Sequence, residues 1–293
     1  MANAMAGRLS AMKDLLSGAD LTVANLETAI TARGIQATKA FTFRAPPSIL
    51  SGLQAAGVDV VSMANNHGLD FGPDGLQDSL AAKHSAPIPV VGIGANDTEA
   101  FTPAHFTVKG VRIAVIGATQ VLDSNLITAW TATAEHGGLA SAKRVDRLVA
   151  EVKKAKVSSD IVIVFLHWGT EKNVCPNPAQ KELAHTLAAA GTTLIIGGHA
   201  HRVESGGFLG KSFVDYGLGN FGFHASSPDA AHTGVLTVTM QGATVKGYEW
   251  HPGLIRDSVP YPLSGAAARQ AVAEWNRLRA CTDLTPFPAP GPR

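Results

Sequence analysis

The stretch Leu194–Ser205, LIIGGHAHRVES, says most about the fold of this chain. Its apolar run Leu194–Ile196 predicts a buried strand, and two glycines then lead to His199 and His201. Alternate residues of an extended segment point to the same side, so both imidazoles can face one site. Glycines at this point let the backbone approach neighbouring groups closely. The stretch predicts a strand that ends in two metal ligands, although two surface histidines remain the alternative interpretation for so short a motif.

Four further apolar runs end in polar residues in the same way. Open α/β sheets build their sites at the carboxyl ends of their strands, so these residues are expected to meet. They are Asn25 and Glu27 after Leu21–Ala24; Asn65, Asn66, His67 and Asp70 after Val58–Ser62; His167, Trp168 and Glu171 after Ile161–Leu166; and Asn220 after Ser212–Tyr216.

Strand-like runs alternate with helix-like stretches along most of the chain, which predicts an α/β fold. The stretches with helical character are Ser48–Ala56, Gly72–Lys83, Ser141–Ala155 and Ala179–Ala190. No repeat or low-complexity linker divides residues 20–255, so we predict one domain over 1–255. Residues 256–293 are predicted to add a helix and a Pro-rich tail, which is expected to be mobile.

Composition excludes several classes of protein. The 293 residues carry 24 Lys and Arg against 23 Asp and Glu, with no basic block, so a nucleic-acid partner is not expected. No apolar run has the roughly 18 residues of a membrane span, and the first residues lack the apolar core of a signal peptide. Cys175 and Cys281 are too few for a disulfide scaffold and lack metal-site spacing. A cytoplasmic location is the resulting expectation.

The polar residues suit a metal centre. One carboxylate, one amide and three imidazoles form a mixed oxygen and nitrogen set that suits Mn, Fe, Zn or Ni: Glu27, Asn66, His167, His199 and His201. His67 beside them is a candidate general acid or contact for an anionic substrate, with a structural histidine as the alternative. The remaining candidates either orient these groups, face the substrate or only shape the fold, and they are Asn25, Asn65, Asp70, Trp168, Glu171 and Asn220.

Six motifs in this order resemble the bacterial capsule-synthesis proteins of the CapA, or poly-γ-glutamate synthesis, family, within the calcineurin-like metallophosphoesterase superfamily. They are DLTVANLETAIT, FTFRAPPSIL, VDVVSMANNHGLDFGPDGL, VIVFLHWGTE, LIIGGHAHRVES and DYGLGNFGF, over about 19–223. The resemblance implies a four-layer αββα sandwich of two mixed sheets with a metal site along one rim. It also implies that Glu27 bridges two ions, that Asn66, His167, His199 and His201 are ligands, and that Asn66 and His67 take part at the reacting group.

The start of the chain departs from the family pattern. Family members begin with a strand that ends in Gly-Asp and is followed by Gly-Arg. Here that first strand is expected to be missing, and Asn3 replaces the Asp if Gly7 and Arg8 match the Gly-Arg. Either the start of the sequence is truncated or misassigned, or the first metal position has lost a ligand. By count, one ion then keeps four ligands, whereas the other keeps only Glu27 and His201. We therefore expect one firm divalent ion (Mn, Fe or Zn) and a second that is weak or absent.

Three functions fit these features. The first is a metal-dependent hydrolase of a phosphoester or a γ-glutamyl amide. The second is a metal-assisted cyclase, lyase or amide-forming enzyme of small-molecule biosynthesis. The third is a metal-free pseudoenzyme or binding module, against which the retained histidines argue. A small-molecule, γ-glutamyl or phosphoester substrate is the expected partner in the first case.

Overall fold

The computed structural model describes residues 2–288, which form a mixed α/β structure. The helices are α1 Ala2–Arg8, α2 Lys13–Ser17, α3 Ser48–Ala55, α4 Gly72–His84, α5 Asp97–Phe101, α6 Ile127–Trp130, α7 Val145–Ser158, α8 Pro178–Ala190 and α9 Gly265–Leu278. The strands are β1 Val23–Asn25, β2 Ala29–Ile30, β3 Arg44–Ala45, β4 Val60–Ser62, β5 Val90–Val91, β6 Ile93–Gly94, β7 Ala104–Val108, β8 Val111–Thr119, β9 Gly138–Leu139, β10 Ile161–Trp168, β11 Leu194–His199, β12 Gly206–Leu209, β13 Ser212–Asp215, β14 His232–Gln241, β15 Thr244–Arg256 and β16 Val259–Pro262.

Two layers of sheet face each other at the centre. One has six strands in the order β12-β13-β11-β10-β8-β7, parallel in its middle and antiparallel at both edges. Opposite lies the parallel sheet β1-β4-β5, and the antiparallel sheet β14-β15-β16 packs against the same inner face. The cluster of side chains between these layers includes Val60, Val91, Ile163, Phe165 and Val245.

Helices cover the outer face of each layer of sheet. Leu148 of α7 and Leu187 of α8 pack against the outward residues of β10, including Val164. On the other side, Leu50 of α3 packs beneath Val61 of β4. Because β10 is covered on both faces, its residues are apolar almost throughout and alternate between the two clusters. The order of layers is helix, sheet, sheet, helix, and the predicted αββα sandwich is confirmed.

Several elements differ from the sequence prediction. Residues Ala2–Arg8 form a helix that packs on α3, so no strand precedes β1 in the described residues. The longest strand, β15, was not predicted, nor were β7 and β12. The last residues of the predicted Pro-rich tail, 289–293, lie outside the described residues. The division at residue 255 stays a prediction.

Candidate metal centre

The candidate site lies where strands of the two facing sheets end. Glu27 follows β1, and Asn66 follows β4, the neighbouring strand of the same sheet. In the larger sheet, His167 is the penultimate residue of β10 and His199 the last residue of β11, and these two strands pair in parallel. The structure therefore brings these four of the predicted residues together.

Four donor atoms converge on one point. His167 Nε2 lies 2.7 Å from Asn66 Oδ1, 3.1 Å from His199 Nδ1 and 3.7 Å from Glu27 Oε1. Two ligands of one ion, each bound at about 2.1 Å, stand about 3 to 4.2 Å apart. A single proton on His167 Nε2 can satisfy only one of its three neighbours, whereas a cation at the common point satisfies them all. The distances from His167 to His199 and to Glu27 therefore have the spacing of ligands to one ion, and the 2.7 Å distance to Asn66 is slightly shorter than that spacing.

The protonation states of these groups also suit a metal. Burial lowers the pKa of His167 well below its ordinary value, and it lowers the pKa of His199 to about 4; nearby imidazoles add to both effects. Both rings are therefore neutral at pH 7 and offer lone pairs. Burial raises the pKa of Glu27, and the nearby His201 and His67 lower it by a smaller amount. The buried Glu27 Oε1 has no hydrogen-bond donor among the described residues, so an ion of opposite charge fits there.

His201 is oriented towards the same carboxylate. Its Nδ1 lies 2.7 Å from Asn220 Oδ1, and the Asn220 amide donates to the Ala230 carbonyl at 3.0 Å. Because Asn220 must therefore present its oxygen, His201 carries its proton on Nδ1 and keeps a lone pair on Nε2. That Nε2 lies 4.0 Å from Glu27 Oε1. Asn220 thus acts by fixing the tautomer of His201.

His67 forms a dyad with Asp70. Its Nδ1 lies 2.6 Å from Asp70 Oδ2, so the ring donates to the carboxylate and leaves Nε2 available. Asp70 is fully buried, also accepts from the Phe43 amide at 2.6 Å, and forms an ion pair with Lys39, whose ammonium nitrogen lies 3.1 Å from Asp70 Oδ1. Two hydrogen bonds and one ion pair hold this carboxylate in place, and the carboxylate in turn orients the His67 ring.

Asn25 and Asn65 join these groups behind the site. Asn25 donates to Glu27 Oε2 at 2.9 Å and accepts from the Asn65 amide at 3.0 Å. Asn65 Oδ1 in turn accepts from the His67 backbone amide at 3.0 Å. A continuous chain of hydrogen bonds therefore links the Glu27 carboxylate to the backbone of His67, and both asparagines position the groups around them.

Trp168 is a predicted site residue that the structure does not bring to the site. Its indole is fully buried, stacks on Tyr216 and donates to the Tyr216 carbonyl at 2.8 Å. This bond passes over Gly197, where a Cβ would collide with both the Tyr216 carbonyl and the indole nitrogen. Trp168 has no surface left for a substrate, and the first glycine of the motif is required because the indole lies against it.

Glu171 lies at the open side of the site. Its exposed carboxylate is within 4.8 Å of ligand atoms of both His199 and His201. It borders a cavity of about 320 Å³ whose lining is Asn66, Val121, Leu122, Asp123, Gly169, Thr170, Glu171 and His199.

Sequence reasoning missed Lys39 and Asp123. The ammonium of Lys39 is nearly buried, contacts Asp70, Asp123 and the Asn66 carbonyl, and lies over the Trp130 ring. Lys39 and Asp123 both lie on loops with no readable spacing, so no pattern in the sequence indicates either of them.

The two cysteines also differ from expectation. Cys175 and Cys281, which are 106 residues apart, form a disulfide. Cys175 is therefore not a free thiol, and the expected cytoplasmic location loses one of its supports because disulfides persist mainly in oxidising compartments. No helix among residues 2–288 is both long and apolar enough to cross a bilayer.

Solved structures share this fold. The chain matches a hypothetical protein from Thermus thermophilus with a TM-score of 0.55 and 16% identity, over 85% of this chain and 94% of the other. It also matches the Thermus thermophilus sulfate thiohydrolase SoxB with a TM-score of 0.50 and 14% identity, over 96% of this chain and 47% of the other. With its facing sheets and ligand-type residues at strand ends, the chain has the calcineurin-like metallophosphoesterase fold.

Sequence comparison is more specific. The model of the bacterial capsule synthesis protein family PGA_cap matches residues 4–225, and the chain belongs to that family. The capsule biosynthesis protein CapA of Bacillus anthracis is 29% identical over 81% of this chain and 57% of its own length. A probable polyglutamine synthesis accessory protein of Mycobacterium tuberculosis is 33% identical over 75% and 62% respectively. The chain thus spans about three fifths of these relatives, and the family predicted from the motifs is confirmed.

Proposed function

We propose that this chain is a divalent-metal-dependent hydrolase that acts on a phosphoester or a γ-glutamyl amide bond. The observation that supports this most strongly is the convergence of Glu27, Asn66, His167 and His199 on one point beside the His67–Asp70 dyad. Buried polar groups are normally hydrogen-bonded, and buried charges are normally paired or coordinate a metal. The fold and the family are consistent with this chemistry.

In the proposed hydrolysis, the residues of the site have three different roles: holding the ion, transferring a proton and positioning the dyad. A bound divalent ion supplies Lewis acidity and lowers the pKa of a water molecule. Glu27, Asn66, His167 and His199 would hold it, and their mixed donors suit Mn, Fe or Zn. His67 presents Nε2 to the leaving group and can transfer a proton there, because Asp70 stabilises the charged ring. Lys39 forms an ion pair with Asp70 and would help to hold the dyad in position.

The choice of bond rests on two sources. The fold family supports a phosphoester, whereas the names of the relatives, which refer to capsule and polyglutamine synthesis, support a γ-glutamyl amide. An amide-forming or lyase reaction would use the same site, with the ion acting on a carbonyl. Since the chain contains a disulfide, we propose an oxidising compartment as its place of action rather than the cytoplasm.

Turnover and metal content together test this function. Protein purified without chelator is loaded with Mn²⁺ and assayed with p-nitrophenyl phosphate, bis-p-nitrophenyl phosphate and γ-glutamyl p-nitroanilide. We expect His199→Ala to lose turnover and bound metal while its circular dichroism spectrum is unchanged. His67→Ala is expected to lose at least about tenfold in turnover but keep the metal. His105→Ala, an exposed histidine on β7, is the matched control.

Full turnover in His199→Ala would refute the proposal. Metal bound without turnover on any of the three probes, together with a condensed product from glutamate-containing substrates, would instead favour the amide-forming reaction.

A further inference from the structure

We infer that Phe43 and Phe223 form an aromatic wall of this site that binds a flat, apolar leaving group of the substrate. The two rings come from different loops, one between β2 and β3 and the other after β13, and their centres lie 5.7 Å apart in an edge-to-face arrangement. This inference rests on the proposed function and adds the chemical class of the group that leaves, which the type of bond does not define.

Both rings of the aromatic wall lie against imidazoles of the site. The Phe43 ring packs on His67, with ring centres 4.2 Å apart and planes inclined by 37°. The Phe223 ring is nearly parallel to His201, with ring centres 5.4 Å apart and planes inclined by 15°. In the proposed reaction the leaving atom hydrogen-bonds to His67 Nε2 at about 2.6 to 3.2 Å, so the group attached to that atom lies beside Phe43.

The aromatic wall is held in place by the groups that orient those imidazoles. The backbone amide of Phe43 donates to Asp70 Oδ2 at 2.6 Å, and the same oxygen receives the ring proton of the dyad. Phe223 follows three residues after Asn220, whose side-chain oxygen lies 2.7 Å from His201 Nδ1. Each phenyl ring is therefore positioned before a ligand arrives, and a pre-organised surface loses little conformational entropy on binding.

The exposure and charge of the aromatic wall indicate what it binds. Phe43 and Phe223 are both half-buried, so part of each ring is open to a ligand. An aromatic ring packed against another strengthens binding about two- to tenfold beyond the effect of the area that it buries. Lys39, whose ammonium lies beside the dyad, is nearly buried and paired with Asp70 and Asp123, so it is not available to an anionic substituent. A flat, apolar group therefore fits this wall better than a charged one.

Binding of unreactive phosphonates tests the inference without relying on activity. The Mn²⁺-loaded full chain is titrated calorimetrically with phenylphosphonate and with methylphosphonate, which carry a ring or only a methyl group on the same metal-binding head. We expect the wild type to bind phenylphosphonate about tenfold more tightly than methylphosphonate. Phe43→Ala and Phe223→Ala are each expected to reduce this ratio by about threefold or more, with the Mn²⁺ content and the circular dichroism spectrum unchanged.

Phe287→Ala is the matched control and should keep the wild-type ratio. This ring is exposed, and its segment pairs with β12 at Phe208, at the end of the six-stranded sheet where β11 begins rather than where it reaches the site.

The remaining outcomes would overturn the inference in distinguishable ways. A ratio near one in the wild type, an unchanged ratio in either variant, or an equal reduction in Phe287→Ala would exclude the aromatic wall but leave the proposed ion site intact. The same holds if neither phosphonate binds to the Mn²⁺-loaded wild type. A folded wild type that binds no Mn²⁺ would contradict the proposed function and the aromatic wall together.

Discussion

Two buried carboxyl groups should make the stability of the protein fall as the pH rises. Glu204 and Asp215 are both fully buried beside the edge of the six-stranded sheet. Glu204 accepts from the Gln180 amide at 3.0 Å, and Asp215 accepts from the backbone amide of Gly217 at 3.0 Å. Burial raises the pKa of Glu204 to about 8 and that of Asp215 to about 7, and these hydrogen bonds offset it only in part.

The sign and size of the effect follow from these values. The unfolded chain releases the Glu204 proton near its ordinary pKa of 4.5, whereas the folded protein holds it until about pH 8. The contribution of Glu204 to stability is therefore complete below pH 4.5 and is lost as the pH rises through that window. One pKa unit corresponds to about 1.4 kcal/mol, so the loss for this group approaches roughly 5 kcal/mol as an upper limit.

Glu204→Gln removes this dependence because an amide has no proton to release. The free energy of unfolding is measured in urea at about pH 5 and about pH 8.5 on metal-free protein, for the wild type, for Glu204→Gln and for the control Glu182→Gln. We expect the variant to gain several kcal/mol relative to the wild type between the two pH values. His167 and His199, whose lowered pKa values act in the opposite direction, cancel in this comparison. An equal pH dependence in the wild type and Glu204→Gln would refute the reasoning.

Three further changes have defined outcomes. Replacing Cys175 and Cys281 by Ser should lower the free energy of unfolding by about 2 to 5 kcal/mol, since the disulfide joins residues 106 apart; an unchanged urea midpoint would contradict this. Trp168→Phe should cost about 1 to 3 kcal/mol in the same assay because the Tyr216 carbonyl loses its donor, while Mn²⁺ content stays the same. Asn25→Ala should weaken Mn²⁺ binding about 10- to 100-fold by calorimetric titration, and unaltered affinity would show that Glu27 needs no orienting partner.

The sequence predicted the strands that are buried along their whole length. Strand β10 was found because both of its faces are covered, which requires an uninterrupted apolar run. Strand β15 was missed because its thirteen residues alternate irregularly between buried and exposed positions, so neither periodicity is visible.

The same contrast holds at the site. Glu27, Asn66, His167 and His199 were found because each follows or ends a strand, and parallel strands bring their carboxyl ends together. Lys39 was missed because it lies on a loop, and its role depends on where that loop folds back over Asp70. The pairing of Cys175 with Cys281 could not be deduced either, since spacing along the chain says nothing about contact over such a distance.

The pairing of β10 with β11 limits how this protein can change during evolution. Residues His167 and His199 lie at the ends of two strands that are paired residue by residue from Ile163 onwards. A single inserted or deleted residue in either strand would turn its ligand to the opposite face of the sheet and reverse every apolar side chain behind it. The lengths of these strands are therefore constrained by the positions of the two histidines, whereas the loops that follow them can change in length without altering this pairing.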